Sequence, residues 1–322
     1  MKAIVYTQYG PPDVLAFKDV PPPAPKDNEV LIEVRAASVN PLDWHIMRGE
    51  PLPLRLMTGL RKPTRTVLGC DIAGRVEAVG KDVKLFQPGD EVFGGAGVGG
   101  FAEFVCAVEE KLALKPCNLS FEEAAAVPVA ATTALQGLRD KGGIRPGYKV
   151  LIEGASGGVG TFAIQIAKCS GAEVTAVCST AKMETARSLG ADHVIDYTRE
   201  EFSRSGQHYD LIFAANSYCS LFDYRRALKP GGVCVMAGGS GDQILQTIFL
   251  RSLLSATGNK KMRGLLAKIN NKDLVVLKEL LEAGKIAPFI ERRYPLSRAA
   301  EAIRYLEEGH AQGKVVLTVE GR

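Results

Sequence analysis

The 322-residue sequence has no apolar stretch near the about 18 residues that would suggest a membrane span. It has no internal repeat and no low-complexity segment, so neither a solenoid nor a disordered tract is expected. Its seven cysteines (70, 106, 117, 169, 178, 219 and 234) are odd in number and scattered singly, with no Cys-x-x-Cys. That argues against a disulfide framework and for free thiols in a reducing compartment. The opening Met1–Gly10 alternates like a strand and lacks the apolar core and cleavage site of a signal peptide, so a cytoplasmic protein is expected. The net charge of +4 is too small to argue by itself for nucleic acid or membrane.

What is present fits a globular chain of 46% hydrophobic and 24% charged residues, long enough for two lobes. Basic clusters run over Arg55–Arg65 and Arg251–Lys272 and read first as solvated faces. The second has only Phe249 nearby and lacks the interleaved aromatics that stack bases, so no nucleic-acid partner is expected. The first also carries Leu52, Leu54, Leu56 and Met57, a composition that would suit a flap over a bulky apolar substrate.

Short strand-like runs, Val30–Val34, Ile72–Val76 and Phe101–Val105, are separated by proline and glycine clusters and suggest a barrel-like β domain. The pattern changes at Ser120, where Ser120-x-x-Glu123 reads as a capping box before an alanine-rich helix that Pro128 bends or interrupts. From Lys149, strands and helices alternate through Val233–Met236, with a helix expected over Gly158–Cys169, a strand over Glu173–Cys178 and a helix over Tyr218–Leu228, which predicts an α/β, doubly wound parallel sheet. Met262–Lys268 is the expected last strand, and Asn271 the expected cap of a helix that Gly284 ends. Phe289–Tyr294, a helix over Ser297–Glu308 and Lys314–Val319 return to barrel-like text. The expected division is therefore 1–122 for the β domain, 123–286 for the nucleotide-binding domain and 287–322 completing the first.

Val150–Glu153 feeds into Gly-Ala-Ser-Gly-Gly-Val-Gly160 and the apolar helix beyond it. Glycines between a buried strand and a helix let backbone approach a pyrophosphate, while the helix start supplies free N–H groups and the positive end of its dipole. Ala155 replaces the first glycine of the usual pattern. About 20 residues on, where an acidic residue would take the ribose 2′-hydroxyl of NAD, the chain reads Val177-Cys-Ser-Thr-Ala-Lys182, with no carboxylate until Glu184. Two hydroxyls and an ammonium suit a 2′-phosphate, so NADPH is the expected cofactor; Ser179 and Thr180 can equally cap the following helix.

Seven segments then appear in one order: Ala37–Trp44, Leu68–Gly80, Pro88–Phe93, Ala124–Ala130, Ala155–Gly160, Leu189–Tyr197 and Gly309–Val316. Together they resemble the medium-chain dehydrogenase/reductases, and within them the zinc-free quinone oxidoreductase branch. The resemblance implies a GroES-like β-barrel plus a Rossmann domain, an active site in the cleft between them, and a homodimer joined at the Rossmann sheet edge. Where zinc-dependent relatives hold catalytic zinc, this chain has Asn40, Cys70 and Val129 or Ala130, and residues 90–105 lack the cysteines of a structural zinc lobe. One thiol cannot make a zinc site, so no metal is expected.

Without a Lewis acid, hydride addition to an electron-poor quinone or α,β-unsaturated carbonyl is the easier chemistry. Asn40 and Asp43 are the candidate polar pair, Asn40 as amide donor and Asp43 as acceptor, with Trp44 as an aromatic wall. Asn40-Pro-Leu-Asp43 is equally a good turn sequence. The resemblance implies pyrophosphate contacts at Ser156, Gly157, Gly158 and Val159, and 2′-phosphate contacts at Ser179, Thr180, Lys182 and Tyr197. It places Thr132 or Thr133, Asn216, Gly238 and Gly239 beside the nicotinamide, with His310, Ala311 and Gln312 closing over the cofactor; Tyr197 reads equally as a strand-end packing residue and His310 as a surface histidine at a helix end. Near relatives often read Asp-Asn-Val-Gly where this chain has Ala214-Ala-Asn-Ser217. A competing reading is an NADPH-binding regulatory or structural protein, crystallin-like or RNA-binding, with little turnover.

Overall fold

The computed structural model describes residues 1–216, 219–238 and 259–320. Gly239, the helix start expected at Tyr218 and the first part of the Arg251–Lys272 stretch lie outside these residues. The chain divides into two compact units. One comprises Met1–Val129, Ile269–Gly284 and Pro288–Arg322, the other Ala130–Lys268 and Lys285–Ala287.

The first unit is organised around the strand Glu29–Val39, whose Val30, Ile32, Val34 and Ala36 alternate into the core while intervening residues are half-buried. It pairs antiparallel with Asp71–Val79, Phe104–Val108 and Lys314–Thr318. Ile290–Pro295 extends the sheet by parallel pairing with Lys314–Thr318. Register decides what meets: Val39 faces Val315, and Ser38 faces both Val316 and Asp71.

The helix Asn271–Glu282, expected within 123–286, groups with this first unit. Asn271 donates to the Leu112 carbonyl and Asn118 to that of Leu281, which ties the helix to β-domain backbone. Its cap is Asn270, whose Oδ1 accepts from Asp273 N at 2.9 Å, and not the expected Asn271. Asn271 is spent on the strand instead.

The second unit holds a six-stranded parallel sheet in which Lys149–Glu153 lies between Glu173–Cys178 and Tyr209–Ala214. His193–Asp196 follows on one side, Leu228–Met236 and then Lys261–Gly264 on the other. This is the Rossmann arrangement, and Val150, Leu151 and Ile152 are all fully buried as a strand covered on both faces requires. The last strand is shorter than the expected Met262–Lys268. Ser120 and Glu123 form the capping box, and Pro128 interrupts the alanine-rich segment, opening a second helix over Pro128–Gln136.

Candidate active site

In the second unit the residues expected at a dinucleotide gather at the carboxyl ends of the strands. The turn after Lys149–Glu153 carries Ser156, Gly157, Gly158 and Val159, all half-buried. Gly154 has φ +71°, a conformation that favours glycine. A Cβ on Gly160 would lie 2.2 Å from the Gly154 carbonyl oxygen, so backbone closes on backbone there. Gly157 caps the helix Gly158–Cys169, whose opening N–H groups have no carbonyl ahead of them in the helix. Asn216 abuts the same bend, 3.0 Å from where a Gly154 Cβ would stand, and Gly238 approaches the Ala215 carbonyl closely. The strand order reverses here, which is where open α/β sheets bind ligands.

Ser179, Thr180 and Lys182 follow the neighbouring strand, and exposed Tyr197 follows the next. Parallel register sets Asp196 beside Cys178, and Asp196 accepts hydrogen bonds from Thr180 Oγ1 and from the Thr198 hydroxyl and backbone N–H. These bonds, the one from Thr180 first, hold its carboxyl below the usual range. A carboxylate therefore stands beside Thr180, supplied by the third strand of this unit and not the second. Its signal was the acidic strand end in His193–Asp196, which only parallel pairing turns toward Thr180.

On the helix Pro128–Gln136, the Thr132 hydroxyl is fully buried and has no hydrogen-bond partner. Such a group costs free energy unless a ligand completes it. The glycine cradle and this orphaned hydroxyl fit a bound dinucleotide.

The first unit contains a buried polar cluster. Asn40 is 2% exposed, and its amide donates to Ser38 O at 3.3 Å and Asp71 Oδ2 at 3.0 Å. Its Oδ1 accepts from Lys314 Nζ at 2.7 Å, and the same ammonium lies 3.5 Å from Asp71 Oδ2 and from Val39 O. Asp71 also accepts from Ser38 Oγ and Val129 N. Burial pushes the Asp71 carboxyl up, against the opposing pull of Lys314 and these donors. Asp43, at the first turn of the helix Pro41–Arg48, reaches back to Asn40 N at 2.8 Å, while its Oδ1 is buried without a partner. Burial raises it to about 7. Of the two carboxyls, Asp71 has the compensating donors, and Asp43 has only the backbone N–H of Asn40.

This differs from the expectation that Asn40 offers its amide donors to an acceptor: both amide N–H groups are spent internally, while Asp43 is fully buried and accepts from backbone. Trp44 is half-buried, stacked on His45 at 3.7 Å between ring centroids and packed on the core. His310 is exposed, and Ala311 and Gln312 are half-buried, in the turn that leads to Lys314. Sequence reasoning missed Ser38, Asp71 and Lys314. A lysine opening an otherwise apolar strand, Lys314-Val-Val-Leu-Thr318, was the available signal.

A zinc ion does not fit these residues. The Cys70 thiol is turned to backbone and donates to Gly97 O at 3.1 Å, and one thiol falls short of the three or four ligands that zinc takes. The Asn40 oxygen already serves an ammonium, and Val129 has no ligating side chain and donates its N–H to Asp71.

The architecture and site define a two-unit dehydrogenase/reductase. Residues 26–117 match the alcohol dehydrogenase GroES-like domain and residues 189–317 the zinc-binding dehydrogenase domain. The chain is 39% identical to 2-methylene-furan-3-one reductase of Solanum lycopersicum, over 98% of this chain and 79% of the relative. It is 36% identical, over the same shares, to the chloroplastic NADPH-dependent alkenal/one oxidoreductase of Arabidopsis thaliana. The quinone oxidoreductase of Coxiella burnetii superposes with a TM-score of 0.87 at 34% identity, over 99% of each chain. The chain belongs to the medium-chain dehydrogenase/reductase superfamily, in its quinone oxidoreductase branch.

Proposed function

We propose that this protein is a zinc-independent, NADPH-dependent oxidoreductase that delivers hydride to a quinone or an α,β-unsaturated carbonyl. The observation that carries the reading is the ammonium of Lys314 seated among Asn40, Asp71 and Val39. A cation of the chain itself fills that cage, and Cys70 donates to Gly97 O, which supports chemistry that does not rely on a metal to polarise an alcohol. An acceptor already poor in electrons needs no such help. Names of the relatives, which act on alkenals, enones and quinones, support the same class.

The nicotinamide, when bound, supplies two electrons as hydride; the reduced acceptor also takes up one proton. Backbone at Ser156, Gly157, Gly158 and Val159 would hold the pyrophosphate, and Ser179, Thr180, Lys182 and Tyr197 the adenosine end, with Thr132, Asn216 and Gly238 near the nicotinamide. Lys182 favours a 2′-phosphate, whereas Asp196 favours a free hydroxyl; the hydrogen bonds of Thr180 and Thr198 turn that carboxylate inward, and the balance supports NADPH. Asn40 acts as a positioning residue, and Asp43 stores a proton close to neutrality.

Among the described residues Lys261–Gly264 is the outermost strand of its sheet, which supports a homodimer joined there. Seven free cysteines support a reducing compartment, the cytoplasm. Spectrophotometric loss of NADPH on adding small quinones and enones tests the function. Tight NADPH binding without turnover across a broad panel would replace it with a regulatory or structural role, and stoichiometric zinc in purified protein would overturn the metal-free assignment.

A further inference from the structure

Between Glu50 and Asp71 the chain carries Arg55, Arg61, Lys62 and Arg65 and no carboxylate. In the same segment Leu52, Leu56, Met57 and Leu60 are 69%, 76%, 84% and 68% exposed. These are four large apolar side chains within nine residues, held in water. They are not on a loose tail. Leu54 packs on the core of the first unit, and the Arg55 guanidinium sits over the Tyr9 ring, 4.5 Å from its centroid, while its Nε donates to Gly49 O. Tyr9 in turn donates from its hydroxyl to Gly59 O at 2.6 Å and meets Thr58 Oγ1 at 2.8 Å. Thr64 closes the lobe by donating to Thr58 O. The backbone is thus pinned on its inner side while the leucines and methionine point out, with Arg61, Lys62 and Arg65 exposed at the rim.

We propose that this lobe, residues 52–65, docks the protein on an anionic lipid surface. An apolar tip gains free energy by entering the boundary of headgroups and acyl chains, and a rim of one sign gains from lipid phosphates. Each half of the feature explains the other: exposed leucines alone fit many partners, but a segment with four cations and no carboxylate between Glu50 and Asp71 is complementary to a negatively charged bilayer. The small overall charge hides this concentration of positive charge in one lobe. Docking stands apart from the reductase reading and can hold whether or not an acceptor is turned over.

Flotation of the full chain with vesicles of phosphatidylcholine, alone or mixed with phosphatidylglycerol, is the test. Binding is expected only to the mixed vesicles and is weakened by salt. Arg61→Gln and Lys62→Gln should each lower partitioning about fivefold, and Leu56→Ser with Met57→Ser should lower it further, with NADPH affinity and thermal midpoint unchanged. Absence of flotation by the unaltered protein, or equal flotation by the variants, overturns the proposal. A changed KM for a water-soluble acceptor with unchanged flotation also overturns it, in favour of a lobe that covers substrate.

Discussion

Lys314 Nζ lies 2.7 Å from Asn40 Oδ1, although 274 positions separate the two residues in the chain. The antiparallel pairing of Lys314–Thr318 with Glu29–Val39 makes this meeting, since Val315 lies opposite Val39 and each residue is one step beyond. The side chain of Lys314 is only 4% exposed and that of Asp71 is fully buried. Charges so placed are tolerable only together.

Lys314→Met is therefore expected to cost about 3–5 kcal/mol, because it strands the Asp71 carboxylate in the core. Adding Asp71→Asn should recover part of the loss. Urea unfolding of the single and double variants measures both, and a single variant as stable as the unaltered protein would show that the ammonium compensates nothing.

Asp43 predicts a pH dependence of known sign. Burial raises its carboxyl from 3.8 to about 7, so the folded chain binds a proton that the unfolded chain has released across that interval. Stability should fall as pH rises from about 4 to about 7, by on the order of a few kcal/mol. Asp43→Asn keeps an oxygen for Asn40 N and removes the titration, so its advantage over the unaltered protein should grow with pH. Parallel stability curves for the two proteins would refute the assignment.

Gly160→Ala places a methyl group 2.2 Å from the Gly154 oxygen and should cost about 1–3 kcal/mol together with cofactor affinity. Ser156→Glu probes binding alone. Its carboxylate would meet the pyrophosphate, so NADPH affinity should fall at least about tenfold, roughly 1.4 kcal/mol, with the thermal midpoint preserved. Fluorescence titration of NADPH against both variants separates the two effects.

Asp196→Asn removes the carboxylate that holds Thr180. NADPH should then bind more tightly relative to NADH, whereas Lys182→Ala should move the ratio the other way. Titration of both cofactors against both variants decides it, and an unchanged ratio in both would place the 2′-phosphate elsewhere.

Much of this was readable before folding. Local chemistry fixed the glycine turn after Lys149–Glu153, the capping box at Ser120 and the strand and helix bounds of Glu173–Cys178 and Gly158–Cys169, because each depends on neighbours in sequence. The cap at Asn270 was misplaced by one residue since two asparagines stand side by side and only the position of Leu112 selects between them. Asn40 looked like an available donor because nothing local consumes its amide.

Sequence alone determined the glycine turn after Lys149–Glu153 and the parallel α/β alternation, for these follow from residue types at short spacing. Tertiary structure decided which charges share a dry interior and which apolar side chains stay wet. Strand pairing brought Lys314 to Asn40 and Asp71, turned Asp196 toward Thr180, and left Leu56 and Met57 in water. Burial and long-range register set these outcomes, and neither is a property of any short stretch of chain.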